Sequence, residues 1–274
     1  MTDEQLLERH VRLAEYKGPD KIVSSTELRD ILSKEKKISY SFSTGLHHLD
    51  IAVDKIETGE LIAIGGPTKH GKTLLAQTLT FHLSKAAVKC LWFTFEVPPR
   101  QFLTQVSEDI VFYMPQKLEL YKINWLEERI EEAKLKYNTR VVFIDNLHHV
   151  FDIACSRNSS LDIGVVIRSL KRMAVNLNIA VFLLCHSRKP VETRGIESEV
   201  SEWDLRDSSF IPQEADSTWM IQRLKDKDTR KFYINQAQLK VCNHRRTGTM
   251  AKKIFLIKAG IIFEDDFQRN ERGE

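Results

Sequence analysis

The chain has 274 residues, of which 42% are hydrophobic and 29% are charged, and its formal net charge is +3 at pH 7. This length and apolar content suit one globular α/β domain, and so small a net charge gives no reason by itself to expect nucleic-acid binding. No run approaches the roughly 18 apolar residues of a membrane span, and the N-terminus lacks the basic and apolar regions of a signal peptide. The sequence therefore predicts neither a membrane segment nor a membrane partner.

The first forty residues differ from the rest of the chain. Two charged amphipathic helices are predicted at about 3–16 and 25–35, separated by Lys17-Gly18-Pro19-Asp20. Together they are too short to form a domain, so they are interpreted as an arm that docks elsewhere. The predicted organisation is an N-terminal helical arm, 1–39, followed by a single ATPase domain, 40–274.

A glycine-rich loop follows the apolar run Glu60–Ile64 and precedes a predicted amphipathic helix, Leu74–Lys85. The residues of this loop are Gly66, Pro67, Thr68, Lys69, His70, Gly71, Lys72 and Thr73. A G-x-x-x-x-G-K-T pattern between a strand and a helix is typical of a phosphate-binding loop, because backbone N–H groups converge on an anion there. Lys72 would reach the β- and γ-phosphates, and the Thr73 hydroxyl would bind Mg²⁺. The sequence therefore predicts ATP and Mg²⁺ as ligands.

Strand-like and helical segments alternate after the loop. Buried strands are predicted at Cys90–Phe95, Val141–Asp145 and Ala180–Cys185, and helices near 99–112, 124–137 and 161–177. Closely spaced strands follow at Ser217–Arg223, Tyr233–Cys242, Lys252–Lys258 and Gly260–Glu264. This order predicts an α/β P-loop NTPase fold with a mostly parallel, doubly wound sheet and an antiparallel C-terminal extension.

Two acidic residues at strand ends are candidates for the chemistry of the site. Asp145 ends an apolar run, where a carboxylate can hold the hydration shell of Mg²⁺; the alternative is an Asp that caps a turn. Glu96 follows the strand Cys90–Phe95, which is expected next to the strand that precedes the phosphate loop. A carboxylate there could accept a proton from the attacking water, although many strands simply end in an exposed Glu.

The cysteines carry no disulfide or metal pattern. Cys90 and Cys185 lie at the ends of apolar strands, as buried free thiols do, and no C-x-x-C pair occurs. A reducing, cytoplasmic location is therefore predicted.

Several motifs occur in a fixed order over about residues 40–266. They are Thr44-Gly45-Leu46-His47-His48-Leu49-Asp50, the phosphate loop, Phe93-Thr94-Phe95-Glu96-Val97-Pro98, Ile144-Asp145-Asn146-Leu147, Leu184-Cys185-His186-Ser187-Arg188-Lys189-Pro190, Asp204-Leu205-Arg206-Asp207-Ser208, Pro212-Gln213-Glu214-Ala215-Asp216 and Asn243-His244-Arg245-Arg246-Thr247-Gly248. This ordered set resembles the RecA-like ATPases. More narrowly, it resembles the C-terminal motor domain of DnaB-type replicative helicases and of phage primase-helicases, in superfamily four.

The resemblance implies roles for individual residues. Glu96 matches the general base, and His186 matches the position of a γ-phosphate sensor, although a lone His is more often structural. Arg245 matches the arginine finger that reaches a neighbouring subunit's ATP site; its alternative is a solvated charge on a hairpin. Arg223 matches an arginine near the nucleotide, and Arg246 would support Arg245 at the ATP site.

The sequence departs from the family pattern at two positions. Asn243 stands where DnaB proteins have a lysine, so the contribution to the neighbouring site would depend on Arg245 and Arg246 alone. Ser209 stands where a glycine usually follows the Asp-Leu-Arg-Asp-Ser segment.

Two loops are candidates for contact with single-stranded DNA, Asp152–Ser160 and Ser187–Glu202. Their basic residues are Arg157, Arg188, Lys189 and Arg194. Such residues would follow the phosphates without reading sequence, but Glu192, Glu197, Glu199 and Glu202 nearly cancel the charge of the second loop. Neither loop contains an aromatic residue for base stacking.

The resemblance implies a hexameric, ATP-driven helicase motor that moves 5′ to 3′ on single-stranded DNA during replication, with a primase or loader as a further partner. The alternatives are a RecA- or RadA-like recombination ATPase and a regulatory ATPase that unwinds nothing. Because only the arm precedes the motor, both a minimal phage- or plasmid-encoded helicase and a fragment of a longer one remain open.

Overall fold

The protein is represented by a computed structural model that describes residues 2–18, 20–34, 39–119, 122–147, 150, 159–188, 192–193, 196–205, 210–225, 232–258 and 260–264. The chain divides into two compact units, Met1–Ile38 and Ser39–Glu274. In the first unit, helices α1 (Asp3–Ala14) and α2 (Ser25–Lys34) lie close to the predicted bounds. A capping box begins α1, because Gln5 N donates to Thr2 Oγ1 and Thr2 N donates to Gln5 Oε1.

The second unit alternates strands and helices before it becomes mostly β. In chain order its elements are β1 (Ser41–Phe42), α3 (His47–Val53), β2 (Ile56–Glu57), β3 (Leu61–Gly66), α4 (Lys72–Lys85), β4 (Cys90–Thr94), α5 (Pro99–Leu103), α6 (Ile123–Tyr137), β5 (Val141–Asp145), α7 (Ser159–Asn176), β6 (Ala180–His186), β7 (Glu192–Thr193), β8 (Ile196–Glu197), α8 (Phe210–Glu214), β9 (Ser217–Lys225), β10 (Phe232–His244), β11 (Ala251–Lys258) and β12 (Ile261–Glu264).

An eight-stranded sheet of the described residues forms the centre of this unit, in the order β12-β11-β10-β9-β3-β6-β5-β4. The pairs from β4 through β9 are parallel, and those from β9 through β12 are antiparallel. Helices α6 and α7 contribute to the apolar layer on one face, and α3 and α4 contribute to the layer on the other. The predicted doubly wound sheet with an antiparallel C-terminal extension is therefore confirmed.

The predicted position of β4 beside β3 is wrong. Strands β6 and β5 lie between them, so β4 is three strand spacings, or about 14 Å, away from β3. Strand β4 is as fully buried as β5, and β6 is buried except at His186, so burial and composition do not show which strand is outermost. The strand order depends on tertiary pairing, which places β4 at the outer position.

The predicted helix over 99–112 is also wrong beyond its first turns, because α5 ends at Leu103. The chain then passes through turns to Tyr113, which pairs with the outer edge of β4: Trp92 N donates to Tyr113 O and Tyr113 N donates to Cys90 O, both at 2.8 Å. Covering this edge satisfies backbone groups that a longer helix would leave exposed. Local periodicity did not reveal this tertiary pairing.

Helix α4 is less amphipathic than its sequence suggested. Its buried residues include Leu75, Leu79 and Thr78, because the antiparallel extension covers the side that the sheet does not. Ile262 N of β12 donates to Thr78 Oγ1 at 3.0 Å. The helix that follows the phosphate loop is therefore held on two sides.

Aromatic side chains reinforce the sheet beneath the site. Trp92 stacks on Phe143 and Phe143 on Phe182, each with 4.8 Å between ring centroids, and Trp219 meets Phe182 edge-on at 5.6 Å. Each such pair contributes about 0.5–1.5 kcal/mol beyond its buried area. These contacts join β4, β5, β6 and β9, whose ends carry or flank candidate site residues.

Cys90, Cys185 and Cys242 are free and buried, which confirms the prediction for the first two. Burial raises the pKa of the Cys185 thiol to about 12, so it remains protonated and unreactive at neutral pH. Within the described residues, no helix is both long and apolar enough to cross a membrane.

Candidate active site

The phosphate loop connects the end of β3 to the beginning of α4. Gly71 precedes α4 with a φ of 101°, a conformation that favours glycine. Gly66 lies so close to β9 that a Cβ there would be 2.3 Å from the Ile221 carbonyl oxygen. Both glycines therefore allow a turn that a side chain would obstruct.

Lys72 points into the curve of this loop. Its Nζ donates to the carbonyl oxygens of Gly66 and Pro67 at 2.9 and 3.0 Å. Burial lowers the pKa of Lys72, whereas the nearby carboxylates of Glu96 and Asp145 oppose that shift. An anion at the loop would offset the cost of burying this ammonium group.

A cavity of about 510 Å³ opens beside the loop. It is lined by Lys69, Gly71, Lys72, Thr73, Leu74, Gln77, Glu96, Gln105, His186, Arg223, Ile257 and Gly260. The structure thus brings Glu96, His186 and Arg223 to the phosphate loop from three other strands or strand ends. Thr68 and Lys69 lie exposed at the crest of the loop, whereas Pro67 and His70 are buried within it.

Thr73 and Asp145 meet where Mg²⁺ was predicted. Thr73 Oγ1 donates to Asp145 Oδ2 at 2.7 Å, and Asp145 is only 2% exposed. Burial raises the pKa of Asp145 to about 6. Within the described chain, the buried Oδ1 of Asp145 has no hydrogen-bond partner.

This arrangement fits a hydrated divalent cation, which would supply the partner that Asp145 Oδ1 lacks. The described residues contain no cluster of three or more His, Cys, Asp or Glu that could hold a metal alone. A cation here would therefore use Thr73, Asp145 through water, and oxygens of a bound phosphate.

Glu96, Asn146 and His186 form a polar cluster across the ends of three strands. Asn146 Nδ2 donates to Glu96 Oε2 at 2.8 Å and lies 2.9 Å from His186 Nε2, which is 3.4 Å from Glu96 Oε2. The hydrogen bond from His186, with that from Asn146, lowers the pKa of Glu96 to about 2. Glu96 is therefore an ionised carboxylate at neutral pH, held in a fixed orientation.

Some residues of the site were missed by sequence reasoning. Asn146 follows Asp145 directly, and an amide immediately after a strand-terminal carboxylate was a signal that could have identified it. Gln105, Ile257 and Gly260 line the cavity from the segment after α5 and from the β11–β12 hairpin, and no motif marked them. Arg223, which was predicted, is connected to the loop because its N donates to His70 Nδ1 at 3.1 Å.

Arg245 lies at the opposite end of the sheet from the phosphate loop of its own chain. Arg245 N donates to Asp216 O at 2.7 Å, and Asp216 N donates to Leu61 O, at the start of β3, at 2.8 Å. The loop follows the other end of β3. The exposed Arg245 side chain donates to Gln213 O, so it does not reach the cavity of its own subunit.

Arg246 lies at the same distant end, and its guanidinium is engaged within its own subunit. It donates to Glu60 Oε1 and Asp54 Oδ2, both at 3.1 Å, and to the carbonyl oxygens of Val53, Asp54 and Lys55 at 2.8–3.1 Å. These carbonyls belong to the last residue of α3 and the two residues after it, where helix carbonyl groups lack internal partners. The structure thus gives Arg246 an anchoring position within its own chain, away from the phosphate loop of that chain.

The candidate DNA contacts are only partly described. Arg188 is exposed immediately after β6, whereas Arg157, Lys189 and Arg194 lie outside the described residues. Glu199 does not cancel loop charge in the manner predicted, because it forms ion pairs with Lys252 at 2.6 Å and Lys240 at 3.7 Å.

The chain is similar in sequence and structure to known helicase domains. The profile of the family described as DnaB-like helicase C terminal domain matches residues 107–265, more than half of the chain. The replicative DNA helicase DnaB of Haemophilus influenzae is 26% identical over 252 residues, which cover 77% of this chain and 54% of the relative. The corresponding helicase of Rickettsia felis is 33% identical over 109 residues, covering 40% of this chain and 22% of the relative.

The chain thus spans about half the length of the first of these relatives. Among solved structures, one described as an ATPase domain superposes with a TM-score of 0.71 at 19% identity, covering 88% of this chain and 96% of that domain. A DnaB-like replicative helicase, solved for its interactions with primase, has the same TM-score at 18% identity, with 95% and 71% covered. The predicted RecA-like fold and the resemblance drawn from the motifs are confirmed.

Proposed function

Because the chain belongs to the family of DnaB-like helicase C-terminal domains, we propose that it is the ATP-driven motor of a hexameric replicative DNA helicase. It would translocate on single-stranded DNA in the 5′-to-3′ direction. One observation carries the proposal: the phosphate loop and Arg245 lie at opposite ends of the sheet, so a site that uses Arg245 would need a second copy of the chain. A ring of identical subunits supplies that copy at every interface.

Binding of ATP follows from the loop and its flanking carboxylate. Backbone N–H groups of the loop and the Lys72 ammonium would hold the phosphates. Thr73 and Asp145 would hold Mg²⁺. When bound, this ion neutralises phosphate charge and so favours cleavage of the bond between the β- and γ-phosphates. Arg223, beside His70, would contact the nucleotide from β9.

Hydrolysis would depend on the Glu96 cluster. The attacking water loses a proton to Glu96 as its oxygen bonds to the γ-phosphorus, and the leaving ADP takes the electron pair of the broken anhydride bond. Asn146 orients the carboxylate, and His186 contacts the same oxygen of Glu96. Arg245 of the neighbouring subunit would offset the charge that develops on the transferred phosphoryl group.

Glu96→Gln should preserve ATP binding but decrease turnover by roughly a hundredfold or more, the scale for losing a general base. Gln can keep a hydrogen bond from Asn146, whereas it cannot accept the proton. Steady-state phosphate release and binding of a fluorescent ATP analogue measure the two effects separately. Glu128→Gln, on the exposed surface of α6, is the matched control. Unchanged turnover in Glu96→Gln would assign the base to another residue.

Strand displacement on a forked duplex tests the function directly. We expect ATP-dependent release of the displaced strand, and only when a single-stranded 5′ tail is present. Strand exchange without displacement would instead identify a recombination ATPase. ATP-dependent assembly with neither activity would identify a regulatory ATPase.

The arm, 1–39, is proposed to stabilise the ring formed by the motor domain, 40–274. Neither α1 nor α2 contains a buried residue. The α1 residues Leu7, Val11 and Leu13 are 52–65% exposed. A stripe of this kind requires a partner surface, which a second subunit would provide.

Deleting residues 1–20 should therefore weaken oligomers while leaving the melting temperature of the monomer nearly unchanged. Sedimentation velocity over a concentration series measures the first effect, and thermal denaturation measures the second. Glu8→Ala, which changes an exposed polar residue of α1, should sediment as the unaltered chain does. If the deletion leaves the sedimentation profile intact, the arm has no role in assembly.

The remaining partners and location are proposals of the same kind. A primase or loader would bind the ring, as the structural relative described with primase suggests. We place the protein in the cytoplasm, where the buried free thiols described above would remain reduced.

A further inference from the structure

Trp203 is a large aromatic side chain left in solvent. It is 65% exposed, whereas Trp92 and Trp219 are 0% and 1% exposed and Trp125 packs against the core. It lies in a 3₁₀ turn, Glu202–Asp204, one residue beyond the second candidate DNA loop. Trp is enriched at binding interfaces, because its large apolar ring system also carries a polar N–H group.

The turn that carries Trp203 is held firmly. Ser201 N and Oγ donate to Asp204 Oδ2 at 2.8 and 3.0 Å, and Asp204 N donates to Ser201 O at 3.1 Å. Glu202 is hydrogen bonded to the Cys242 thiol, and Leu205 is buried. The flanking side chains are thus turned inward, and Trp203 alone among residues 201–205 is exposed.

The segment before the turn is fixed to the antiparallel extension. Val200 N donates to Gln222 Oε1 at 3.1 Å, and Gln222 Nε2 donates to Ser198 O at 3.3 Å. The ion pairs of Glu199 with Lys240 and Lys252 hold the same segment. Trp203 is therefore presented on a rigid support, which reduces the entropy lost when a ligand stacks on it.

A cationic residue lies beside this turn. Arg188 N donates to Asp204 O at 2.7 Å, and the Arg188 side chain is exposed. A guanidinium and an aromatic ring at neighbouring backbone positions match the two requirements of single-stranded nucleic acid, which are phosphate neutralisation and base stacking.

The same segment is directly connected to the phosphate loop. Ser187 N donates to Gly66 O at 3.1 Å, and Ser187 pairs with Leu205 in an antiparallel bridge. His186, which precedes Ser187, lines the cavity. A ligand on Trp203 and Arg188 would thus contact a segment that begins two residues after His186, which the proposed function places beside the γ-phosphate.

We propose that Trp203 stacks on a base of single-stranded DNA while Arg188 contacts an adjacent phosphate. This inference rests on the proposed function and adds a stacking contact that neither candidate loop contains. Because every base has a π face, the contact would hold the strand without reading its sequence.

Fluorescence anisotropy of a labelled oligothymidylate of about 20 nucleotides, longer than a typical single-strand site, tests the inference with the full chain and a non-hydrolysable ATP analogue. Trp203→Ala should weaken binding about tenfold or more, the scale of one lost stacked base, whereas Trp203→Phe should retain most of the affinity. Leu135→Ala, which removes another highly exposed apolar side chain on α6, should bind as the unaltered chain does.

The salt dependence separates stacking from charge. Arg188→Ala should lower the slope of log affinity against log salt by about one, whereas Trp203→Ala should leave the slope unchanged. Oligothymidylate should also quench tryptophan emission, and Trp203→Phe should abolish that quenching, since Trp92 and Trp219 are buried and Trp125 packs against the core.

Each other outcome identifies a particular failure. If the unaltered chain does not bind oligothymidylate, the helicase proposal itself fails. If it binds and Trp203→Ala binds equally well, the stacking contact is refuted while the helicase proposal stands. Trp203→Ala could also shift the protein toward monomers, while the fraction that still forms oligomers binds DNA normally. Trp203 would then be a contact between subunits, and the inference would be overturned.

Discussion

Mixing Arg245→Ala chains with Lys72→Ala chains should restore part of the ATP hydrolysis that each variant lacks alone. Removing an arginine finger typically decreases turnover by about 10³-fold or more, so Arg245→Ala should be nearly inactive although its own loop still binds ATP. In mixed rings, some interfaces combine an intact loop from one chain with an intact Arg245 from the other. Steady-state hydrolysis, measured while one variant is titrated into the other with single-stranded DNA present, detects the recovery.

The matched control combines two defects on the same side of the interface. Lys72→Ala and Glu96→Gln both disable the cavity of their own chain, so mixing them creates no complete site. We expect no recovery in that titration. Flat activity with Arg245→Ala as well would contradict the ring and favour a regulatory ATPase.

Lys72→Ala alone should abolish ATP turnover while the fold remains intact. Lys72 is 5% exposed, and its ammonium lies in the curve of the loop, where it would meet the terminal phosphates. Removing this side chain relieves the cost of burying its charge but leaves the carbonyl oxygens of Gly66 and Pro67 without its hydrogen bonds, so the melting temperature should change little. Phosphate release and thermal denaturation are the two measurements.

Lys85→Ala is the control for this variant, since Lys85 is exposed at the end of α4 away from the loop. Its turnover should stay near that of the unaltered chain, because it removes a lysine without changing the cavity. Hydrolysis near the unaltered rate in Lys72→Ala would show that the nucleotide site lies elsewhere.

The local elements of the fold were predictable because each leaves a mark in its own stretch of sequence. The apolar runs of β5 and β6 and the glycines of the phosphate loop are such marks. The order of the strands in the sheet depends on contacts between distant segments, which the local sequence does not show. For this reason the sequence predicts β4 beside β3, whereas β6 and β5 lie between them. The edge pairing of Tyr113 with β4 is equally non-local, so periodicity alone extended α5 too far.

The same distinction applies to the site. Glu96, Asp145 and His186 were each recognised at or just beyond a strand end, but their connection was not. Strand β5 lies between β4 and β6. The residue just after β5 therefore lies between Glu96, just beyond β4, and His186, at the end of β6. Asn146 occupies that position, and its contacts with Glu96 and His186 could be anticipated only once the strand order was known.

In the proposed ring, strand β3 connects two ATP sites, that of its own subunit and that of the neighbour. One end leads into the loop that would hold the subunit's own ATP, and Leu61 at the other end is bonded directly to Asp216, which receives Arg245 N. The two ends are separated by about 17 Å of stiff, fully paired strand. A subunit that moves toward its own nucleotide would therefore carry Arg245 along with it, changing the distance to its neighbour's nucleotide. Neighbouring sites should then hydrolyse ATP one after another rather than all at once, because the sheet of each subunit couples its own site to the next one.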